Sequence, residues 1–341
     1  MIRQNFNADW TVEKGDGNSR MNSFLGNTQT KTVHLPYDAM IHEARTPDTK
    51  NGAQTGFYPG GEYIFQKHFT APQAWQGKPV SLVFEGVYQT ALVYLNGWLL
   101  TRNVNGYAEF TVEAGPYLKY GADNLLKVIA DNSLEPNSRW YTGSGIYRPV
   151  RLLVGNKVYL PQDTVRITTR EADEGFALLD VTAQVQSAST VTERVTLQQT
   201  ICREGTAVLT DRQNLLLQPG ESRTVSFRYC VDSPALWSPE NPNLYTSTMQ
   251  VLEGEEELDR EETGFGIRTL SIDAAHGVRI NGQTVKLRGA CIHHDNGILG
   301  AATLPDAEER RIRQLKEAGF NAIRSSHHPA GRAPVSYTHL T

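Results

Sequence analysis

The chain has 341 residues, a formal net charge of -4 and 39% hydrophobic residues. This length predicts two or three domains that each bury a core, and the lack of basic runs argues against a nucleic-acid partner. No apolar leader follows Met1 and no run of about 18 apolar residues occurs, so we expect no membrane contact and a cytoplasmic location. Three cysteines are too few for a disulfide framework, and we expect Cys202, Cys230 and Cys291 to be reduced and mostly buried.

Residues 1–157 are predicted to form an all-β domain. In the segment 90–95, Ala91, Val93 and Leu95 alternate with other residues, as they do in a half-buried strand. Asn96-Gly97 follows at once and predicts a tight hairpin, because both residues tolerate positive φ. Short strands separated by glycine and proline favour a jelly-roll sandwich for this domain.

Residues 158–268 are predicted to form a second, separate β-sandwich. Apolar residues alternate along the segments 179–185, 195–201 and 225–231, and Pro219-Gly220-Glu221 predicts a turn between two of these strands. The acidic segment 253–262 is interpreted as a solvated hairpin tip. A domain of this size with strands at this spacing is typical of an immunoglobulin-like sandwich.

Residues 269–341 begin with a different pattern, a strand–helix–strand unit. An apolar strand at 287–292 is predicted to be buried on both faces, and a helix at 306–318 is predicted to bury Ile312, Leu315 and Ala318. Glu309 completes a potential capping box with Asp306. A second buried strand at 320–323 completes a βαβ unit of the kind that builds parallel sheets and opens a (β/α)8 barrel.

Polar residues follow both strands of this unit. His293, His294 and Asp295 follow the first strand, and the segment 324–328 (RSSHH) follows the second. Because functional residues collect at the C-terminal ends of barrel strands, we expect these clusters to meet at one rim. Vicinal histidines on a strand point to opposite faces, so we expect no required metal or cofactor. A structural or activating cation is left open.

A search for paired carboxylates, which glycoside hydrolysis requires, finds no convincing pair. Glu308 and Glu309 are predicted to face water on the helix, and Glu85 and Glu109 lie in the first sandwich without a partner at a strand end. Exposed aromatic residues on the first sandwich would instead favour a carbohydrate-binding module without catalysis. The candidates are Trp98, Tyr107, Trp140 and Tyr141.

Four motifs in order carry a family resemblance. They are VYLNGWL at 93–99, GSGIYRPV at 143–150, LWSPENPNLY at 236–245 and NAIRSSHHP at 321–329. Together they resemble glycoside hydrolase family 2. The resemblance implies hydrolysis of terminal β-glycosidic bonds, with β-galactosidase as the leading specificity and β-glucuronidase or β-mannosidase as alternatives. It implies a retaining mechanism with two glutamates on later barrel strands, so this chain would contain no catalytic residue. A non-catalytic binding or scaffolding fragment is the other alternative.

The resemblance also implies residues that support a sugar site. Arg324 matches an arginine that keeps the nucleophile ionised in relatives, and His327 matches a histidine that reaches the sugar. His293 and Asp295 stand where relatives line the pocket.

Arg139 and Trp140 lie on a loop that reaches toward the active site in relatives. Arg139 departs from the pattern, since some relatives have an acid there. The implied partner is a β-linked oligosaccharide or glycoside, and a longer parent protein could form a homo-oligomer.

The resemblance ends near residue 334. Pro334 and the β-branched residues among 335–341 are poor helix material, and we expect a truncated gene whose last residues are foreign to the family. A lone βαβ unit leaves strand edges unpaired. We therefore expect this unit to be partly disordered, aggregation-prone or packed on the second sandwich.

Overall fold

The computed structural model describes residues 1–15, 30–134 and 137–335. The first sandwich consists of two sheets with the strand orders β3-β2-β4-β9-β6-β7 and β1-β10-β5-β8. Its strands are β1 (Ile2–Asn5), β2 (Trp10–Lys14), β3 (Lys31–Val33), β4 (Gly61–Thr70), β5 (Val80–Phe84), β6 (Thr90–Leu95), β7 (Trp98–Asn103), β8 (Phe110–Glu113), β9 (Asp123–Asn132) and β10 (Val150–Val154). Short 3₁₀ turns lie between them at Met40–His42, Gly52–Thr55, Gln73–Trp75 and Gly115–Tyr117.

The predicted hairpin of this sandwich is confirmed. Ala91, Val93 and Leu95 of β6 are fully buried, and β6 pairs with β7 across Asn96 and Gly97. These two turn residues have φ values of 52° and 90°, the left-handed conformation that the sequence predicts. The inward faces of the two sheets form one hydrophobic core that includes Trp10 and Phe65.

The second sandwich has its own hydrophobic core, formed by alternate residues of its two sheets. One sheet has the order β11-β13-β12 with β16 also paired to β13, and the other has the order β15-β14-β17-β18. The predicted alternation, the turn at 219–221 and the hairpin tip within 253–262 are confirmed. The strands are β11 (Val158–Tyr159), β12 (Arg166–Ala172), β13 (Phe176–Ser187), β14 (Glu193–Arg203), β15 (Thr206–Leu217), β16 (Ser222–Asp232), β17 (Tyr245–Glu253) and β18 (Glu256–Phe265).

A small antiparallel sheet and a βαβ unit follow. The sheet contains β19 (Leu270–Asp273), β20 (Gly277–Ile280) and β21 (Gln283–Thr284). The βαβ unit contains β22 (Gly289–Ile292), a 3₁₀ turn (Gly297–Leu299), helix α1 (Pro305–Glu317) and β23 (Ala322–Ser325). Strands β22 and β23 pair in parallel, with Ile292 opposite Ser325, as the sequence predicts. The expectation that this unit opens a (β/α)8 barrel stays a prediction.

Burial of the βαβ unit differs from the prediction. Strands β22 and β23 are half-buried to exposed, because each has only one neighbouring strand among the described residues. Ala318 is exposed, whereas Ile312 is buried and Leu315 is half-buried. The predicted capping box is wrong: Leu304 is the N-cap, without a side-chain cap, and Pro305 occupies the first turn.

The βαβ unit packs mainly on the first sandwich, not on the second as one of our expectations had it. The Thr303 amide donates to the Tyr147 carbonyl at 2.9 Å, and Arg148 Nη2 donates to the Pro329 carbonyl at 2.8 Å. The second sandwich faces α1 across a groove lined by Trp237 and Ile312. Residues 332–335 form one helical turn, which can include Pro334 because proline is compatible with the first turn of a helix. The rest of the tail that we expected to be foreign to the family, residues 336–341, lies outside the described residues.

The three cysteines are free thiols, as predicted, but they are not buried as a group. Cys230 and Cys291 are exposed and Cys202 is half-buried. Each lies on a strand, where neighbouring residues face opposite sides of the sheet. The part of the chain that the structure describes contains no helix with both the length and the apolar character needed to cross a membrane.

Candidate functional site

The two histidine pairs meet where β22 and β23 end. His293 directly follows β22, and His327 lies two residues beyond β23. Their rings approach with centroids 5.8 Å apart. The indole of Trp140, from the first sandwich, lies 5.4 Å from the His293 ring and 5.3 Å from the His327 ring. Three of the predicted site residues therefore form one aromatic cluster at the junction of two structural units.

An open recess of about 560 Å³ lies beside this cluster. Its walls combine aromatic rings with uncharged polar side chains, and Arg139 is the charged lining residue among those described. The lining side chains are Tyr88, Gln89, Tyr107, Asn137, Ser138, Arg139, Trp140 and His327. Trp140 Nε1 donates to the Tyr107 hydroxyl at 3.2 Å, which fixes the indole relative to the wall. Such a surface suits a ligand with an apolar face and a polar rim.

The second histidine of each pair is buried beneath the cluster, a feature that the sequence interpretation missed. His294 Nε2 lies 2.8 Å from the Thr142 carbonyl, so this nitrogen carries the proton and donates. His294 Nδ1 then accepts from His328 Nε2 at 2.9 Å. Burial lowers the pKa of His294 to about 3 and also lowers the pKa of His328. The sequence held a signal for this burial, because neighbouring residues of an extended segment point in opposite directions.

His328 also stacks on the sandwich. Its ring lies parallel to that of Tyr107, with centroids 4.3 Å apart and an interplanar angle of 8°. The His293–His294 and His327–His328 pairs thus share one arrangement. The first histidine of each pair packs against Trp140, and the second anchors the strand end to the sandwich.

Arg324 and Asp295, two further predicted site residues, do not join the aromatic cluster. Both are exposed. Arg324 Nη1 donates to Cys291 Sγ at 3.4 Å and to Ser326 Oγ at 3.2 Å. The carboxylate of Asp295 forms no hydrogen bond with the residues that the structure describes. Its backbone carbonyl accepts from Arg311 Nη2 at 2.6 Å.

Asp38 holds the sandwich loop against the βαβ unit, and the sequence interpretation missed it. Its Oδ2 accepts from the Tyr141 hydroxyl at 2.6 Å and from the Ala301 amide at 2.8 Å. Its Oδ1 accepts from the Ser144 amide at 2.9 Å and the Met40 amide at 3.0 Å. Burial raises its pKa, although these hydrogen bonds favour the charged form.

Glu308 was predicted to face water, and this is wrong. It is 2% exposed and lies on the same face of α1 as Ile312, four residues later. Its carboxylate pairs with Arg311 at 3.5 Å, and burial raises its pKa. Arg311 in turn donates to the His293 carbonyl at 3.0 Å, which ties the helix to the loop after β22. Glu309 instead pairs with Arg313 on the outer face of α1.

Glu85 and Glu109, which the carboxylate search considered, are both neutralised by arginines. Arg151 lies 3.3 Å from Glu85 Oε1 and 3.2 Å from Glu109 Oε2. Arg332 pairs with Glu109 at 2.7 Å and also with Asp163, which lies between β11 and β12 of the second sandwich. Burial raises the pKa of Glu85. This network braces all three units and offers no free acid and base pair.

The described residues contain no group of three or more histidine, cysteine, aspartate or glutamate side chains placed to hold a metal ion. The four histidines meet each other and the aromatic wall instead of a common centre. The expectation that no cofactor is required stays a prediction.

Comparisons with known proteins agree with this architecture. The model described as glycosyl hydrolase 2 galactose-binding domain-like matches residues 10–176, and the model described as glycosyl hydrolases family 2 matches residues 158–268. Beta-galactosidase BoGH2A of Bacteroides ovatus is 36% identical over 96% of this chain, which spans 38% of that relative. A putative beta-glucuronidase of Formosa agariphila is 31% identical over 96% of this chain, which spans 31% of that protein. The chain thus spans less than two fifths of either curated relative.

Solved structures give the same result. A glycosyl hydrolase family 2 member from Bacteroides cellulosilyticus superimposes with a TM-score of 0.93 at 33% identity, covering 99% of this chain and 44% of that chain. Beta-glucuronidase 2 of Bacteroides uniformis, covalently bound to cyclophellitol-6-carboxylate aziridine, superimposes with a TM-score of 0.87 at 26% identity. That match covers 98% of this chain and 40% of the other.

Proposed function

This chain belongs to glycosyl hydrolase family 2 through its first two domains, and we propose that the recess beside Trp140 binds a β-linked glycoside, with a β-galactoside as the leading ligand. The family models and the curated relatives support a glycoside, since the relatives are beta-galactosidases and beta-glucuronidases by name. We further propose that the bound sugar is galactose. The relative with 36% identity, a beta-galactosidase, favours it.

The observation that carries the proposal is the position of Trp140 between His293 and His327. An indole face packs on the apolar C–H face of a sugar ring, and imidazole nitrogens donate to or accept from its hydroxyl groups. These groups come from two strand ends and a half-buried loop, and a hydrogen bond to Tyr107 holds the indole in place before the ligand binds. Preorganisation of this kind reduces the entropic cost of binding.

The activity proposed for the protein is retaining hydrolysis of a terminal β-glycosidic bond. That chemistry needs two carboxylates about 5 Å apart. The described residues place no such pair at the recess, and we propose that both glutamates come from later strands of the family's barrel. The residues of this chain would bind and orient the sugar. Arg324, a planar guanidinium at the end of β23, would hold one carboxylate ionised through two hydrogen bonds.

Saturation-transfer NMR and tryptophan fluorescence with phenyl β-D-galactoside would test sugar binding. We expect binding at millimolar concentration and a loss of about two- to tenfold in Trp140→Ala, since one aromatic platform contributes about 0.5–1.5 kcal/mol. Trp98→Ala is the matched control, because Trp98 is an exposed tryptophan on a hairpin of the same sandwich that does not line the recess. Equal losses in the two variants, or no binding, would refute the proposal.

A carbohydrate-binding function without catalysis is the second candidate. The neutralised pair of Glu85 and Glu109 favours it for this chain, because a bridged carboxylate is a poor nucleophile. Release of 4-nitrophenol from β-galactoside, β-glucuronide and β-mannoside substrates distinguishes the two functions. Binding with no release by the purified chain supports the binding function, and release that exceeds a no-enzyme control refutes it.

A further inference from the structure

Arg139 lies at the edge of the recess and has no counter-charge among the residues that the structure describes. Its side chain is exposed, and it forms no ion pair or hydrogen bond with any residue in the described ranges. The other described lining residues are aromatic rings, amides, a hydroxyl and an imidazole, with no carboxylate among them. The recess therefore has a positive charge that the described residues around it do not neutralise.

Two other arginines near this junction are compensated by carboxylates, and a third by carbonyl oxygens. Arg332 pairs with Glu109 and Asp163, and Arg151 lies between Glu85 and Glu109. Arg148 donates to the carbonyls of Tyr107 and Pro329 at 2.9 and 2.8 Å. Among the described residues that line the recess, Arg139 is the one that offers a guanidinium, and no described carboxylate occupies it.

A second feature of the recess indicates a polar ligand. The Oε1 atom of Gln89, a lining residue, is buried and has no hydrogen-bond partner among the described residues. A buried acceptor without a partner is unfavourable, and rotation of the Gln89 side chain toward the recess would let a sugar hydroxyl satisfy it. Arg139 supplies cationic donors at the exposed edge of the same recess.

We propose that Arg139 selects glycans that have an anionic group, a carboxylate or another oxyanion, on the sugar unit lying over Trp140. This inference rests on the proposed function, since it assumes that the recess binds a sugar. A guanidinium presents parallel N–H donors that match a carboxylate in two hydrogen bonds. Because Arg139 is exposed, salt screens this attraction, and the preference for an anionic sugar should be clearest at low ionic strength.

The test compares two ligands that differ only at C6: phenyl β-D-galactopyranoside, with a hydroxymethyl group, and phenyl β-D-galactopyranosiduronate, with a carboxylate. We expect the dissociation constant of the acidic ligand to be about fivefold lower for the full chain at low salt. In Arg139→Gln we expect the ratio of the two constants to fall to about one. Arg139→Lys should retain part of the ratio, because it keeps the charge and loses the bidentate geometry.

Arg166→Gln is the control, because it removes an exposed arginine from β12 of the second sandwich and changes the net charge equally. It should keep the full ratio, and added salt should reduce the ratio in the unmodified chain. Equal affinity for both ligands, or a ratio that survives in Arg139→Gln, would overturn this inference while leaving sugar binding intact. Failure of both ligands to bind would refute the proposed function and this inference with it.

Discussion

His294 donates from Nε2 to the Thr142 carbonyl and accepts on Nδ1 from His328 Nε2, so the strand ends of the βαβ unit are anchored to the sandwich by a hydrogen-bonded pair of buried imidazoles. His294 cannot take up a proton on Nδ1 without losing the hydrogen bond from His328. His294 and Arg148 both lie in this interior, and the nearby arginine further disfavours a second cation.

The junction is expected to weaken in acid. In the closed junction the pKa of His294 is about 3, below its ordinary value. When the βαβ unit detaches from the sandwich, His294 regains its ordinary pKa, so falling pH protonates His294 in this opened state first and favours opening. The stability that His294 contributes is complete above about pH 6.5 and is lost progressively toward pH 3. Between pH 7 and pH 5 the opening free energy of residues 289–329 should fall by about 2 kcal/mol.

Hydrogen–deuterium exchange, corrected for the intrinsic pH dependence of exchange, measures this opening free energy. His294→Gln should remove most of the pH dependence. The control is His68→Gln, which changes an exposed histidine on β4 and should keep the slope. A slope in His294→Gln equal to that of the unmodified chain would contradict the role of the pair.

Asp38→Asn should destabilise the first sandwich and its junction by about 2–3 kcal/mol. Both carboxylate oxygens accept from backbone amides, so the new NH₂ group must face an N–H donor whichever way the amide is oriented. Urea unfolding followed by tryptophan fluorescence measures the change. Asp232→Asn, at an exposed aspartate of β16, should stay within about 0.5 kcal/mol. Equal midpoints for both variants would show that Asp38 is not a structural acceptor.

Two glycine substitutions separate backbone strain from steric conflict. Gly143 and Gly205 both have positive φ, at 68° and 78°. An added Cβ at Gly143 would lie 2.5 Å from Ala301 Cβ and 2.8 Å from Asp38 Oδ2, whereas at Gly205 it meets nothing within 4 Å. Gly205→Ala should cost about 1 kcal/mol from strain alone. Gly143→Ala should cost about 1–3 kcal/mol more.

Exchange protection of residues 295–304 reports where the Gly143→Ala conflict acts. Protection there should fall in Gly143→Ala and stay unchanged in Gly205→Ala. If the two variants lose similar stability and protection, the close approach of the 143 loop to Ala301 does not stabilise the junction.

Cys291 should be the most reactive of the three thiols. The hydrogen bond from Arg324 lowers the pKa of Cys291, so more of it is thiolate at neutral pH. With iodoacetamide at pH 7, mass spectrometry should find Cys291 alkylated several times faster than Cys230, which is also exposed. Arg324→Gln should slow Cys291 selectively, whereas Arg313→Gln on the outer face of α1 should not. Equal rates in both variants would remove Arg324 as the cause.

The sandwiches could be predicted from local sequence because their strands alternate with period two and their turns carry glycine or asparagine. Burial of residues in the βαβ unit could not be predicted in this way, because it depends on neighbours that lie far away in the chain. Glu308 illustrates the point. It is four residues from Ile312 and seven from Leu315, the spacing of one helix face, yet its charge led us to place it in water.

For the candidate site, the family resemblance indicated His293, His327 and Trp140, and the structure brings these three together. Their anchors, His294, His328 and Asp38, were missed because each is a polar residue whose partners are distant in sequence. His294 and Thr142, for example, are separated by 152 positions. Such pairs leave no local pattern, apart from the rule that adjacent strand residues face opposite ways.

The recess has a further consequence for how such a chain can change over evolution. Its described lining residues come from 88–140 and from 327, whereas the whole second sandwich lies between these segments in sequence and supplies none of them. Substitutions on the surface of that sandwich can therefore accumulate without altering the ligand surface. Sugar recognition and the contacts of the second sandwich are separately tunable traits of one polypeptide.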